Sequence, residues 1–178
     1  MRPSRPFSTP ASLPMSYVAR SDRPADKAQA YAEVEAEILA VLDGETNRTA
    51  RMATVASMLA DAFDAYFWTG FYVVDAEKPR ELVVGPYQGT LGCLRIAFGR
   101  GVCGAAAETG QTQLVEDVHA FPGHIACDSR SESELVVPVF DASGALIAVF
   151  DVDATEKAAF DAVDAEALER LLKAVFAA

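Results

Sequence analysis

The sequence predicts an α+β domain: an antiparallel sheet with the N- and C-terminal helices on one face and a loop and short-helix insert over a ligand pocket. Three observations predict it. Two stretches of helical periodicity precede every strand-like segment, six β-rich segments follow, and one strongly periodic stretch closes the chain. No internal repeat breaks this order.

From Asp26 to about Leu42, the apolar residues Tyr31, Val34, Ile38, Val41 and Leu42 recur at helical spacing, and Gly44 follows as a stop signal. A second helix is predicted from about Glu45 to Asp64, with Met52, Val55, Ala56, Leu59 and Phe63 on one side. "FWTGFYVVD" (67–75) is aromatic and β-branched enough to be a strand, and "ELVVG" follows after a charged turn containing Pro79. "CLRIAF", "QTQLVED", "ELVVPVF" and "ALIAVFDVD" supply further strands, with "DASG" as the turn between the last two. Val102 to Ala107 can form a short helix ended by Gly110. Asp164 is expected to cap a closing helix that buries Leu168, Leu171, Leu172, Val175 and Phe176. Residues 1–24 form an expected N-terminal tail. Its first fourteen residues carry four Pro, two Arg and three Ser with no acid, a composition too poor in apolar side chains to fold. Residues 25–178 form the expected catalytic domain.

Bulk composition excludes several functions. The 178 residues are 51% hydrophobic, which suits one domain with a substantial core. Fifteen Lys and Arg against 26 Asp and Glu give a net charge of -11, and no basic stripe offers a track for nucleic acid. No apolar run approaches the roughly 18–20 residues that cross a bilayer, and the N-terminus lacks a secretory core, so a cytoplasmic, soluble protein without membrane contact is expected. Three cysteines with no regular spacing argue against a disulfide-stapled secreted fold.

Those cysteines lie at 93, 103 and 127, with His119 and His124 nearby. Structural zinc normally takes ligands in pairs such as C-x₂₋₄-C, and none exists, so no metal is expected. "GRGVCG" satisfies G-x-G-x-x-G, but Gly110 ends the following helix too soon for a dinucleotide-binding crossover. Its glycines allow a tight turn and close approach to a ligand, and the helix start can face an anion. Cys127 sits among Gly123, His124 and Asp128, a loop composition where an accessible thiol can be reactive. The competing reading is a half-buried structural cysteine. Cys93 could resolve an oxidised Cys127, and Cys103 could be a second resolving thiol or a packing residue. The two histidines are expected to order loops by hydrogen bonding, and either could support a thiolate.

Strand alternation carries the sharpest inference. In "ALIAVFDVD" it puts Ile147, Val149, Asp151 and Asp153 on one side, so two acids continue an apolar face. Desolvation and mutual repulsion should raise at least one carboxyl pKa and make a general acid. The alternative is a strand end that emerges into solvent. Glu134 opens "ELVVPVF" on the side of Val136, again an acid at the mouth of an apolar face. Trp68, Gly70 and Tyr72 share a face, with Gly70 expected to leave room between the rings. An aromatic wall opposite three carboxylates suits a small cationic or zwitterionic ligand with an apolar end.

"GPYQGTLGCLRIAFGRGVCG", "VEDVHAFPGHIACDSRSESELVVPV" and "FDVD" together resemble the free methionine-(R)-sulfoxide reductases, single-domain enzymes of the GAF fold, from roughly Ala25 to Ala178. The resemblance implies that Cys127 attacks the sulfoxide sulfur, that Cys93 is the principal resolving thiol and that Cys103 is an additional one. It places substrate-binding residues at Trp68, Tyr72, Glu134, Asp151 and Asp153. It implies no cofactor, and a disulfide that a thioredoxin-type dithiol protein reduces. Gly92 and Ala97 stand where Ala and Pro would be expected. Two other functions compete: a GAF sensor module, which shares the fold and binds a small ligand without catalysis, and a general thiol peroxidase. The N-terminal helices offer a surface on which two copies could pair as a homodimer.

Overall fold

The computed structural model describes residues 23–125 and 127–177. The expected tail therefore lies outside the described residues except at Arg23 and Pro24.

Two helices come first. Helix α1 (Lys27–Val41) starts where the Asp26 carboxylate accepts the Gln29 N–H at 2.8 Å, and it buries Tyr31, Val34 and Ile38 as the spacing predicts. Helix α2 (Arg48–Ala62) begins three residues later than its periodicity suggests. Glu45 spends its carboxylate on the Asn47 N–H at 2.6 Å, and Asn47 in turn caps the helix by accepting from Ala50 N–H at 3.0 Å.

Six strands follow: β1 (Trp68–Val74), β2 (Glu81–Gln88), β3 (Arg95–Ala97), β4 (Gln113–Val115), β5 (Ser133–Phe140) and β6 (Leu146–Ala154). Helix α3 (Gly101–Thr109) lies between β3 and β4, and α4 (Ala162–Phe176) ends the chain. The sheet order is β3-β2-β1-β6-β5-β4, and every pairing is antiparallel. The G-x-G-x-x-G match thus sits in no parallel crossover. Asp141 closes the β5–β6 hairpin by accepting the Ser143 and Ala145 N–H groups at 2.9 and 3.2 Å.

The sheet separates two apolar clusters. On one face, α1, α2 and α4 bury Ile38, Leu59 and Leu168 against Phe71, Leu135 and Phe150. On the other, α3 contributes Val102, Cys103 and Ala106 to a smaller cluster with Trp68, Tyr72, Val136 and Val149. Because β5 and β6 are covered on both sides, they read as nearly continuous apolar runs and not as a simple alternation. Helix α3 sits close to the sheet because residue 104 is Gly: a Cβ there would stand 2.4 Å from the Ala97 carbonyl oxygen.

Two expectations need correction. Ile147 does not share the face of Val149, Asp151 and Asp153 but packs in the helix-side cluster. Val139 pairs with Ala148 while Phe140 pairs with Leu146, so Ile147 is the extra residue of a bulge that shifts the alternation. The cap of α4 is Asp161, not Asp164. Asp161 accepts the Val163 N–H at 2.7 Å, and Asp164 accepts the Asp161 N–H at 2.7 Å from the third helical position, completing a capping box.

Asp164 has a wider task than the cap. It is 3% exposed, accepts the Tyr31 hydroxyl at 2.7 Å and pairs with Lys27 Nζ at 2.6 Å, while Tyr31 also bonds Tyr66. It therefore ties α1, α4 and the approach to β1 together. Asp164→Ala should lower unfolding stability by about 2–4 kcal/mol, because a buried hydroxyl and a half-buried ammonium lose their acceptor. Urea midpoints read this, and a loss no larger than that of an exposed helix substitution would contradict it.

Candidate active site

Strand register assembles the site. Trp68 pairs with Asp153, which pairs with Glu134, and Gly70 pairs with Asp151, which pairs with Val136. Residues directly opposite one another share a face, and so do residues two apart. Trp68, Tyr72, Glu134, Asp151 and Asp153 accordingly meet on the α3 side, where they line a cavity of about 40 Å³. Helix α3 adds Cys103, and the loops before β3 and before β5 add Gly92, His124 and Cys127.

Cys127 is exposed and Cys93 half-buried, and they form a disulfide with their Cα atoms 5.5 Å apart. Cys103 remains a buried thiol, its Sγ 3.9 Å from Glu134 Oε1. All three cysteines belong to one locality, but only two are joined. His124 lines the cavity with Nε2 3.8 Å from Glu134 Oε2, and burial pushes its pKa down, which favours the neutral ring. His119 stays outside, exposed, with Nε2 3.4 Å from Glu132.

Glu134 and Asp151 are buried and Asp153 is half-buried, so the strand end does not simply emerge into solvent. Glu134 and Asp151 are 6% and 5% exposed, and burial, followed by the charge of neighbouring acids, pushes both well above the usual carboxylate range. Burial pushes Asp153 up to about 6. Adjacent desolvated carboxylates resist ionising together, so this group holds a proton to higher pH than free carboxyls do. Burial, followed by the Asp151 charge, also pushes the Cys103 thiol up.

The aromatic wall differs from expectation. Trp68 and Tyr72 do stack, with centroids 5.5 Å apart. The room beside Gly70, however, is filled by Tyr87, whose ring lies 5.1 Å from that of Trp68. A Cβ on residue 70 would stand 2.3 Å from Tyr87 Cβ. Gly70 therefore serves close strand packing and not the ligand.

Sequence reasoning missed the residues that hold the two cysteine loops together. Asp128 accepts from Thr90 Oγ1 at 2.8 Å, linking the residue after Cys127 to the segment before Cys93. Arg130 grips Asp128 through Nε and a terminal nitrogen at 3.0 and 2.8 Å and lies 4.5 Å over the Phe67 ring. That ion pair holds the Asp128 carboxyl well below its ordinary value. Thr90 also accepts the Trp68 indole N–H on its carbonyl at 2.9 Å. The only sequence signal was the D-x-R spacing, which by itself marks any Asx turn.

Comparison with known proteins shows the family. A GAF domain family model matches residues 45–177. The free methionine-R-sulfoxide reductase of Saccharomyces cerevisiae is 42% identical over 137 residues, covering 75% of this chain and 76% of that protein. The Escherichia coli protein of the same name is 39% identical over 147 residues, covering 83% and 87%. The chain belongs to the free methionine-R-sulfoxide reductases of the GAF-domain family. An X-ray structure of the free methionine-R-sulfoxide reductase from Neisseria meningitidis, in complex with its substrate, superposes with a TM-score of 0.82 at 46% identity, covering 89% of this chain and 93% of that one. Among the described residues, no helix is long and apolar enough to cross a membrane.

Proposed function

We propose that this protein reduces free L-methionine (R)-sulfoxide to L-methionine in the cytoplasm, with Cys127 as nucleophile and Cys93 as resolving thiol. The observation that carries this reading is the meeting, in one cavity, of Cys127, bonded to Cys93, with the acids and the Trp68–Tyr72 stack. The Cys127 thiolate attacks the sulfoxide sulfur while Glu134, Asp151 or Asp153 protonates the departing oxygen. The protonated oxygen passes from the methionine sulfur to the Cys127 sulfur as the bond between the two sulfurs breaks, so methionine leaves and Cys127 is left as a sulfenic acid. The Cys93 thiol then attacks that sulfur, releasing water and forming the disulfide. A thioredoxin-type dithiol returns both thiols by exchange and leaves as its own disulfide. Cys103 remains available as an additional resolving thiol.

The same groups explain a preference for the free amino acid. The acids suit an ammonium, and the indole suits the S-methyl end. The start of α3 suits the carboxylate: its cap residue Arg100 makes no side-chain cap bond, and Gly101 to Cys103 line the cavity. The other loop is less suited, since His124 N–H already donates to Phe121 O at 3.1 Å. The test is consumption of the separate R and S sulfoxides with a dithiol donor. R-specific turnover that spares a peptide methionine sulfoxide is expected. Equal use of both epimers, or of the peptide, would contradict the reading, and ligand binding indifferent to Cys127→Ser with no turnover would favour a sensor.

The surroundings of the disulfide suit a protein reductant. Leu91 and Leu94 are 74% and 69% exposed beside Cys93, and Ile125 is 37% exposed beside Cys127. Apolar side chains that flank a reactive disulfide form a docking collar. Leu94→Glu should raise KM for a dithiol protein about tenfold, as loss of an interface anchor does. Turnover with a small dithiol should be unchanged. Parallel steady-state assays with the two donors check this, and equal effects on both would remove the collar from the mechanism.

A further inference from the structure

The cavity floor brings a thiol and two carboxylates together from three separate elements. One ligand atom each from Cys103 on α3, Glu134 on β5 and Asp151 on β6 lies within 4.8 Å of the others. All three residues are more than nine-tenths buried, at 4%, 6% and 5% exposure. An independent observation points to something that binds there: Asp151 Oδ1 is buried without a hydrogen-bond partner, although its residue lines the cavity. Buried carboxylate oxygens are otherwise almost always satisfied. His124 offers Nε2 at 3.8 Å from the second Glu134 oxygen.

The donor set selects a class of ion. A tetrahedral ion with sulfur at ~2.3 Å and oxygen at ~2.0–2.2 Å holds its ligand atoms roughly 3.5 Å apart. The Cys103 Sγ to Glu134 Oε1 separation of 3.9 Å needs a contraction of only a few tenths of an ångström. Calcium and magnesium prefer all-oxygen shells of six or more ligands, which this thiol-bearing floor does not supply. A borderline-soft ion takes sulfur, nitrogen and oxygen together.

We propose that Cys103, Glu134 and Asp151 bind a zinc-type divalent cation, with water completing its shell, that closes the pocket to substrate. The Cys103 thiol releases its proton to solvent as the sulfur–metal bond forms, with no change of oxidation state. The dication also relieves repulsion between the two acids. Competition with methionine sulfoxide rests on the reductase reading, because the ion takes the place of the substrate's ammonium and sulfoxide oxygen. Binding itself does not. The ligands stand 31 and 17 positions apart in sequence, so no spacing motif announces them.

Cys103 is free while Cys93 and Cys127 are paired, so the full chain in its disulfide form isolates the site. Titration with Co²⁺ should give a thiolate-to-cobalt absorption band that saturates at a single equivalent and is displaced by Zn²⁺. Cys103→Ser should abolish the band, and Asp151→Asn should weaken binding about tenfold or more. Asp117→Asn, in the separate and more accessible Asp117–His119–Glu132 group, should leave it unchanged. In the reduced chain, Zn²⁺ should inhibit competitively with methionine sulfoxide, and Cys103→Ser should lose that component. Absence of the band, or its survival in Cys103→Ser, overturns the site. A Cys103-dependent band with no Zn²⁺ effect on turnover overturns the competitive role. A band in a chain that turns over no sulfoxide supports the site and removes the reductase reading alone.

Discussion

Cys127→Ser should abolish sulfoxide reduction, by roughly 10⁴-fold or more, as removal of a nucleophile does elsewhere. Cys93→Ser should behave differently. Its Cys127 still attacks sulfur, so with Cys103 also replaced by Ser to remove the second resolving thiol, one methionine per chain should appear in a rapid phase, after which the chain stalls as a sulfenic acid that a dimedone-type reagent can trap. Quenched-flow measurement of methionine, with mass analysis of the trapped adduct, separates the two variants. The prediction follows from placement. Cys127 is exposed at the cavity mouth, whereas Cys93 is half-buried and within bonding reach of it. A full first turnover in Cys127→Ser would reverse the roles.

Neutralising the buried acids should have the second large effect, with opposite signs for activity and stability. Glu134→Gln or Asp151→Asn should slow single-turnover reduction by about 10²–10⁴-fold, the usual contribution of a general acid. The same variants should be more stable than the parent at pH 8. Both carboxyls have folded pKa values raised by burial and neighbouring acids, while unfolded Asp and Glu titrate near ~4. The folded chain therefore holds more protons than the unfolded chain above that pH. Stability is fully present below the unfolded value and is lost as pH rises through the folded ones. An amide cannot ionise, so each variant should be more stable than the parent at pH 8 and no more stable near pH 4. Urea unfolding at the two pH values decides. A variant no more stable at pH 8 would mean that the acids are stabilised by the fold, and not strained by it.

The rate profile should show the same chemistry. Thiolate formation on Cys127 raises the rate with pH, and loss of the carboxyl proton lowers it, giving a bell. Burial raises all three carboxyls, so the descending limb lies above the ordinary carboxylate range and belongs to the coupled acid group and not to one residue. Glu134→Gln should flatten that limb.

What the sequence by itself determined was local. The 3.6-residue rhythm of Tyr31, Val34 and Ile38 marks a helix face, and the alternation Glu134–Val136 or Val149–Asp151–Asp153 marks a strand face, because both periods are properties of one chain segment. From these came the sheet, the closing helices and the acids on an apolar face, and the motif resemblance added the cysteine roles. Tertiary structure alone decided what lay across the gaps. Whether Gly70 faces a ligand or Tyr87, whether Ile147 keeps phase or bulges, and that Thr90 reaches Asp128 all depend on which strand or loop lies opposite. So does the meeting of Cys103 with Glu134 and Asp151. Packing and electrostatics act over a few ångströms of space, and residues dozens of positions apart acquire those distances only when the sheet closes.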